Sequence, residues 1–161
     1  MKNLLLLFLL LPSFLQSQEV SEDLVKVHLE MLSSDEMQGR KAGTAGIEKA
    51  AKYIESEFET IGLLKFDDKS SYRQSFKSQG LDLFNVIGFL KGRSKPEEIV
   101  VISAHYDHLG VNEKLKGDKI FNGANDNASG VTAVLAIAEY YSKKGTNERS
   151  LLFIAFTANV L

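Results

Sequence analysis

The sequence predicts an α/β fold, a mostly parallel central sheet flanked by helices, on two observations. Residues 99–104 and 151–156 are strand-length apolar runs, broken only by Ser103. Continuous runs of this kind mark parallel strands buried on both faces. Between them Val131, Val134, Leu135, Ala138 and Tyr141 recur at helical spacing. Strand, helix and strand then follow one another as the right-handed crossover of such a sheet.

The remaining elements follow in chain order. Residues 1–17 read as a secretory signal peptide: Lys2 supplies the positive start, 4–11 are wholly apolar, and Ser17 is a small residue at the cleavage position. The apolar run is too short to span a bilayer, which needs about 20 residues. A secreted or periplasmic location is therefore expected. Ser21 is a suitable N-cap for a helix whose apolar face is Leu24, Val27, His28, Met31 and Leu32. On that face His28 reads as a core or boundary histidine. Ile47, Ala50, Ala51, Ile54, Phe58 and Ile61 form a second helical stripe, stopped by Gly62. Strands are predicted over 72–77 and 83–90. Lys143 and Lys144 close the helix after 131, where positive charge suits the dipole.

Composition narrows the function. The chain has 161 residues, 44% hydrophobic and 25% charged, which is ordinary globular usage and fits one domain over 18–161. Nineteen Lys and Arg against 21 Asp and Glu give a net charge of -2, so no nucleic-acid partner is expected. Cysteine is absent, which excludes disulfides and thiolate metal sites. Three glycines in 39–46 do not form a phosphate cradle, and no Gly-x-Ser-x-Gly elbow occurs.

Ligands of open α/β sheets sit at the carboxyl ends of the strands. Two loops fall there. One begins His105-Tyr106-Asp107-His108-Leu109-Gly110; the other reads Gly123-Ala124-Asn125-Asp126-Asn127-Ala128-Ser129-Gly130 and leads into the crossover helix. Imidazole nitrogen and carboxylate oxygen are what zinc accepts without thiolates. His105 and Asp126 are the candidate metal ligands. Asp107 is positioned to orient the His105 ring, while His108 is open between a role in the site and a plain loop role.

These loops resemble those of the di-zinc aminopeptidases, metallopeptidase family twenty-eight. The resemblance rests on residues 100–110 and 123–130. It extends upstream through Leu32-Ser33-Ser34-Asp35-Glu36-Met37-Gln38-Gly39-Arg40, Gly43-Thr44-Ala45-Gly46, Ile61-Gly62-Leu63 and Asn85-Val86-Ile87-Gly88. It implies a zinc-exopeptidase-like fold, a peptide substrate and two zinc ions. His105 then binds one ion, Asp126 bridges both, Asp107 holds His105, and the Asp126–Asn127 peptide bond is cis. Metal-assisted hydrolysis of N-terminal residues is the implied reaction.

The sequence departs from the family pattern at its last strand. Two consecutive glutamates are expected there, a general base and a zinc ligand. The chain has Asn159 and Val160 instead. An amide cannot take up a proton at useful pH, so the general base is absent. The chain is therefore expected to be the N-terminal part of such an enzyme, truncated and inactive. Residues 151–156 are then expected to form an exposed apolar edge or an uncovered face, with poor solubility and weak zinc affinity. Two alternatives remain: a non-catalytic binding module on the same fold, and a glutaminyl-cyclase-like acyltransferase using one zinc.

Overall fold

Over residues 20–159, those described by the computed structural model, the apolar stripes become helices and the apolar runs become strands. The expected leader at 1–17 lies outside the described residues. Helix α1 (Glu22–Leu32) starts at Ser21, whose hydroxyl accepts from the Leu24 amide at 3.4 Å. Its buried side chains are His28 and Leu32, whereas Val27 and Met31 are exposed. The expected stripe is thus rotated. The helix leans on its 24–28–32 row, with Leu29 rather than Val27 against the core. His28 is 3% exposed and its Nδ1 lies 2.7 Å from the Tyr53 hydroxyl, a core histidine as expected.

A tight turn (Asp35–Arg40) leads into α2 (Ala45–Ile61). Ile47, Ala50, Ala51, Ile54 and Phe58 bury the predicted stripe. Burying a side chain like Phe58 stabilises the fold by about 1.5–3 kcal/mol. Gly62 ends α2 at φ +83°, a left-handed cap in which the Leu63 amide bonds back to the Phe58 carbonyl. The strands β1 (Leu64–Lys65), β2 (Arg73–Ser78), β3 (Leu81–Leu90) and β4 (Lys95–His105) follow, then a hairpin of β5 (Gly110–Val111) and β6 (Ile120–Phe121). A wide turn (Ala124–Ala128), α3 (Ser129–Lys144) and β7 (Arg149–Phe156) complete the described fold.

The main sheet runs β1-β3-β7-β4, with β2 also paired to β3. β4 and β7 are parallel neighbours joined through α3, as predicted. The pairings of β3 with β1, β2 and β7 are antiparallel, so the parallel part of this mixed sheet is its β4–β7 pair. Val86, Leu151, Phe153 and Ala155 join the side chains of all three helices in one core cluster.

Two expectations are corrected here. Of the two outcomes expected for 151–156, the edge is overturned, since β7 lies between β3 and β4 and its helix-facing Phe153 and Ala155 are fully buried, whereas Phe156 on the other face is 39% exposed. Among the described strands β4 ends the sheet on one side and β1 on the other, and β4 is not covered on both faces. Ile99 and Val101 are 49% and 54% exposed, because the helices all pack into the cluster on the other face. No described helix is long and apolar enough to cross a membrane.

Candidate metal centre

Both predicted loops lie at the carboxyl end of β4. His105 is the last residue of that strand, paired in register with Phe156, and the Tyr106 amide continues the ladder to the Phe156 carbonyl at 2.8 Å. Tyr106 is buried and its hydroxyl donates to the Phe84 carbonyl at 2.9 Å. Burial pushes the Tyr106 phenol up, so it stays protonated and keeps that bond. The chain therefore leaves the sheet on a fixed trajectory.

Asp126 arrives from the other side on the wide turn before α3. The Ala128 amide bonds the Gly123 carbonyl at 3.1 Å, and the Asn127 side chain accepts from the Gly130 amide at 3.0 Å. The Asp126–Asn127 peptide is cis.

The structure brings His105 and Asp126 together. His105 Nε2 is 3.2 Å from Asp126 Oδ1, and His108 Nδ1 is 3.4 Å from Asp126 Oδ2. One carboxylate thus sits between two imidazoles. Its side chain is 58% exposed, against 17% for His105 and 10% for His108. Asp107 is fully buried, and its nearer contact to His105 is through the main chain: His105 Nδ1 lies 3.0 Å from the Asp107 carbonyl and 3.6 Å from its Oδ1. A carbonyl oxygen only accepts, so Nδ1 carries the proton.

This tautomer leaves the Nε2 lone pair facing a carboxylate oxygen. Two acceptors at that distance repel unless a proton or a cation lies between them. The buried His108 Nδ1 likewise has no hydrogen-bond partner, only Asp126 beyond it. Burial, helped by Arg40 and His105, holds His108 below its ordinary value against the pull of Asp126. A neutral ring can act as a ligand. Imidazole and carboxylate donors suit zinc. Among the described residues, no group of three or more His, Asp or Glu closes into a cage able to hold a metal ion, so the donor set is partial. Asn159, at the position where the family resemblance places a general base, is exposed.

Arg40, to which the sequence reading gives no role, lies beneath both loops. It is fully buried. Nε donates to the Tyr106 carbonyl at 2.9 Å, Nη1 to the carbonyls of Leu32 and of Asn122, the latter at 2.7 Å, and Nη2 to the Gly123 carbonyl at 3.0 Å. Its own carbonyl accepts from the His108 amide at 3.0 Å. Burial pulls the guanidinium down to about 10, with Asp107 and Asp126 opposing, and at neutral pH it remains charged. Gln38, Gly39 and Arg40 are all left-handed, at φ 49°, 62° and 49°. That conformation costs about 1–2 kcal/mol for each non-glycine residue. A Cβ at Gly39 would stand 2.4 Å from the Gly110 carbonyl oxygen and 2.6 Å from that of Phe121. Asn122 adds a second tie, donating to the Ser33 carbonyl and to Asp35 Oδ1, each at 2.8 Å. The only sequence signal for Arg40 is its place after Gly39 in the stretch that resembles the family lead-in.

The fold defines a class. A zinc-dependent exopeptidase from Parabacteroides distasonis superposes with a TM-score of 0.60 at 22% identity, over 89% of this chain and 51% of that one. A glutaminyl cyclase from Porphyromonas gingivalis superposes with a TM-score of 0.67 at 19% identity, over 85% and 47%. These likenesses place the chain in the zinc-exopeptidase-like α/β fold.

Sequence adds a match to a peptidase family. Residues 85–159 match the model of peptidase family M28. A protein of Pyricularia oryzae described as "Probable zinc metalloprotease" is 35% identical over 74 residues, which are 46% of this chain and 14% of that protein. The chain thus spans a small part of that relative and about half of the solved structures.

Proposed function

We propose that this chain carries part of the zinc centre of an exported metallopeptidase that removes N-terminal residues from peptides. The observation that supports it is the Asp126 carboxylate held between His105 Nε2 and His108 Nδ1 at the strand ends. His105 and Asp126 are the ligands. The Asp107 carbonyl fixes the His105 tautomer so that Nε2 is presented. The second Asp126 oxygen, which faces His108 Nδ1, would serve a second ion. When bound, zinc lowers the pKa of a coordinated water and polarises the scissile carbonyl. Asn159 cannot act as base, so this chain by itself is expected to bind zinc weakly and to hydrolyse nothing. Export is supported by the apolar run at 4–11, and N-terminal sequencing of the exported protein would be expected to begin near residue 18.

The test is a zinc titration of the purified chain against a chromogenic chelator. Binding should be measurable in the wild type and lost in Asp126→Asn and His105→Ala. Equal binding in all three refutes the assignment. Hydrolysis of an aminoacyl anilide, stopped by a chelator, would contradict the assignment of Asn159. The likeness to a glutaminyl cyclase supports a second reading, acyl transfer with one zinc. Zinc stoichiometry in a form with the complete ligand set separates the two.

A further inference from the structure

We infer that Arg40 is the positioning residue of this centre: it sets the separation of His105 and Asp126 by fastening both loops to one guanidinium. The inference rests on the metal reading for its purpose but not for its geometry. The anchored carbonyl of Tyr106 is one residue beyond His105, and the anchored carbonyl of Gly123 is three residues before Asp126. The Arg40 carbonyl holds the His108 amide, so the first loop is fixed twice. The Leu32 bond ties this assembly to the end of α1.

An apolar side chain could fill the same space but could not bind four carbonyls. Lysine has three donors on one atom, without the planar fork that reaches three segments at once. Burying a full charge is unfavourable unless its bonds are all made. Here the donors go to main-chain oxygens of the two ligand-bearing loops and of Leu32. The left-handed backbone at 38–40 is what aims the side chain there, and Gly39 is wedged against the β5–β6 hairpin. Strain kept beside a cluster of donors is a common sign of a constrained functional site.

The experiment uses the full chain with Arg40→Lys and Arg40→Met, and Ile54→Ala in α2 as a destabilised control away from the loops. Three quantities are read: melting temperature, amide exchange at His108 and Ala128, and affinity for Zn²⁺ alone. Exchange at those two amides should accelerate at least tenfold relative to α2 amides in the Arg40 variants. Zinc affinity should fall at least tenfold, which is about 1.4 kcal/mol, with Lys milder than Met. Ile54→Ala should lose melting temperature but keep zinc affinity within about twofold of wild type. Unchanged protection at His108 and Ala128 overturns the inference, as does a zinc loss no larger than that of Ile54→Ala. If the Met variant does not fold, the Lys variant decides. If the wild type binds no zinc, the peptidase reading fails and amide exchange alone decides whether Arg40 fixes the loops.

Discussion

The two faces of the main sheet carry similar side chains with different surroundings. Toward the helices, Val86 and Phe153 are fully buried. On the opposite face Ile87 and Ile154 are still buried at the sheet centre, while Ile99 and Val101 on the β4 edge are about half exposed. Apolar identity does not bury a residue; neighbouring strands or a second layer do. The candidate metal centre sits where the sheet ends, and it is held differently from both faces. Its loops are fixed by hydrogen bonds from Arg40 to main-chain oxygens as well as by the packing of Tyr106 and Ala128 into the cluster.

The largest expected effect tests the covered face. Phe153→Ala should cost about 3–5 kcal/mol in a urea denaturation, because the cavity lies in the centre of the cluster. A loss under about 1 kcal/mol would mean that the face relaxes freely. Gly88→Ala probes the same face by overpacking. Its new Cβ would stand 2.5 Å from Leu63 Cδ1 and 2.9 Å from Phe58 Cδ2, so a loss of about 1–3 kcal/mol is expected. A stabilised variant would show slack between α2 and β3.

A smaller effect is read as a pH dependence. Burial holds His28 below its ordinary value of 6.5, with Glu57 and Glu139 opposing. As pH falls below 6.5, the unfolded chain takes up this proton before the folded chain does, so stability falls with pH. Melting temperatures from pH 7.5 downward should drop less steeply in His28→Gln. Parallel curves for the two proteins would remove His28 from the acid response. The smallest effect belongs to the open face. Val101→Thr should change stability by no more than about 0.5 kcal/mol while reducing self-association in light scattering. A loss above about 1 kcal/mol would show that this face is covered in solution.

Much of this was legible in the sequence. The α2 stripe, the two apolar runs and the helix between them each declare themselves over a few turns of local spacing. The pairing of His105 with Asp126 was legible because both flank one predicted crossover. Other features were not. Val27 and Met31 have helical spacing but face outward, since orientation depends on what α1 packs against. Arg40 has no sequence signal beyond its place in the 32–40 stretch. Nor is there one for Arg73, which in the fold bonds Glu48 and Glu55 of α2 and lies 4.1 Å over the Phe84 ring.

The sequence by itself determined the helices, the strands and the donor types at the strand ends, because periodicity and side-chain chemistry are local. Only the tertiary structure decided that β4 is an edge, that its outer face stays open and that a buried arginine fastens the two loops of the candidate site. Those outcomes depend on partners 66 and 83 residues away, for Tyr106 and Gly123 about Arg40, and local spacing carries no information about contacts at that range.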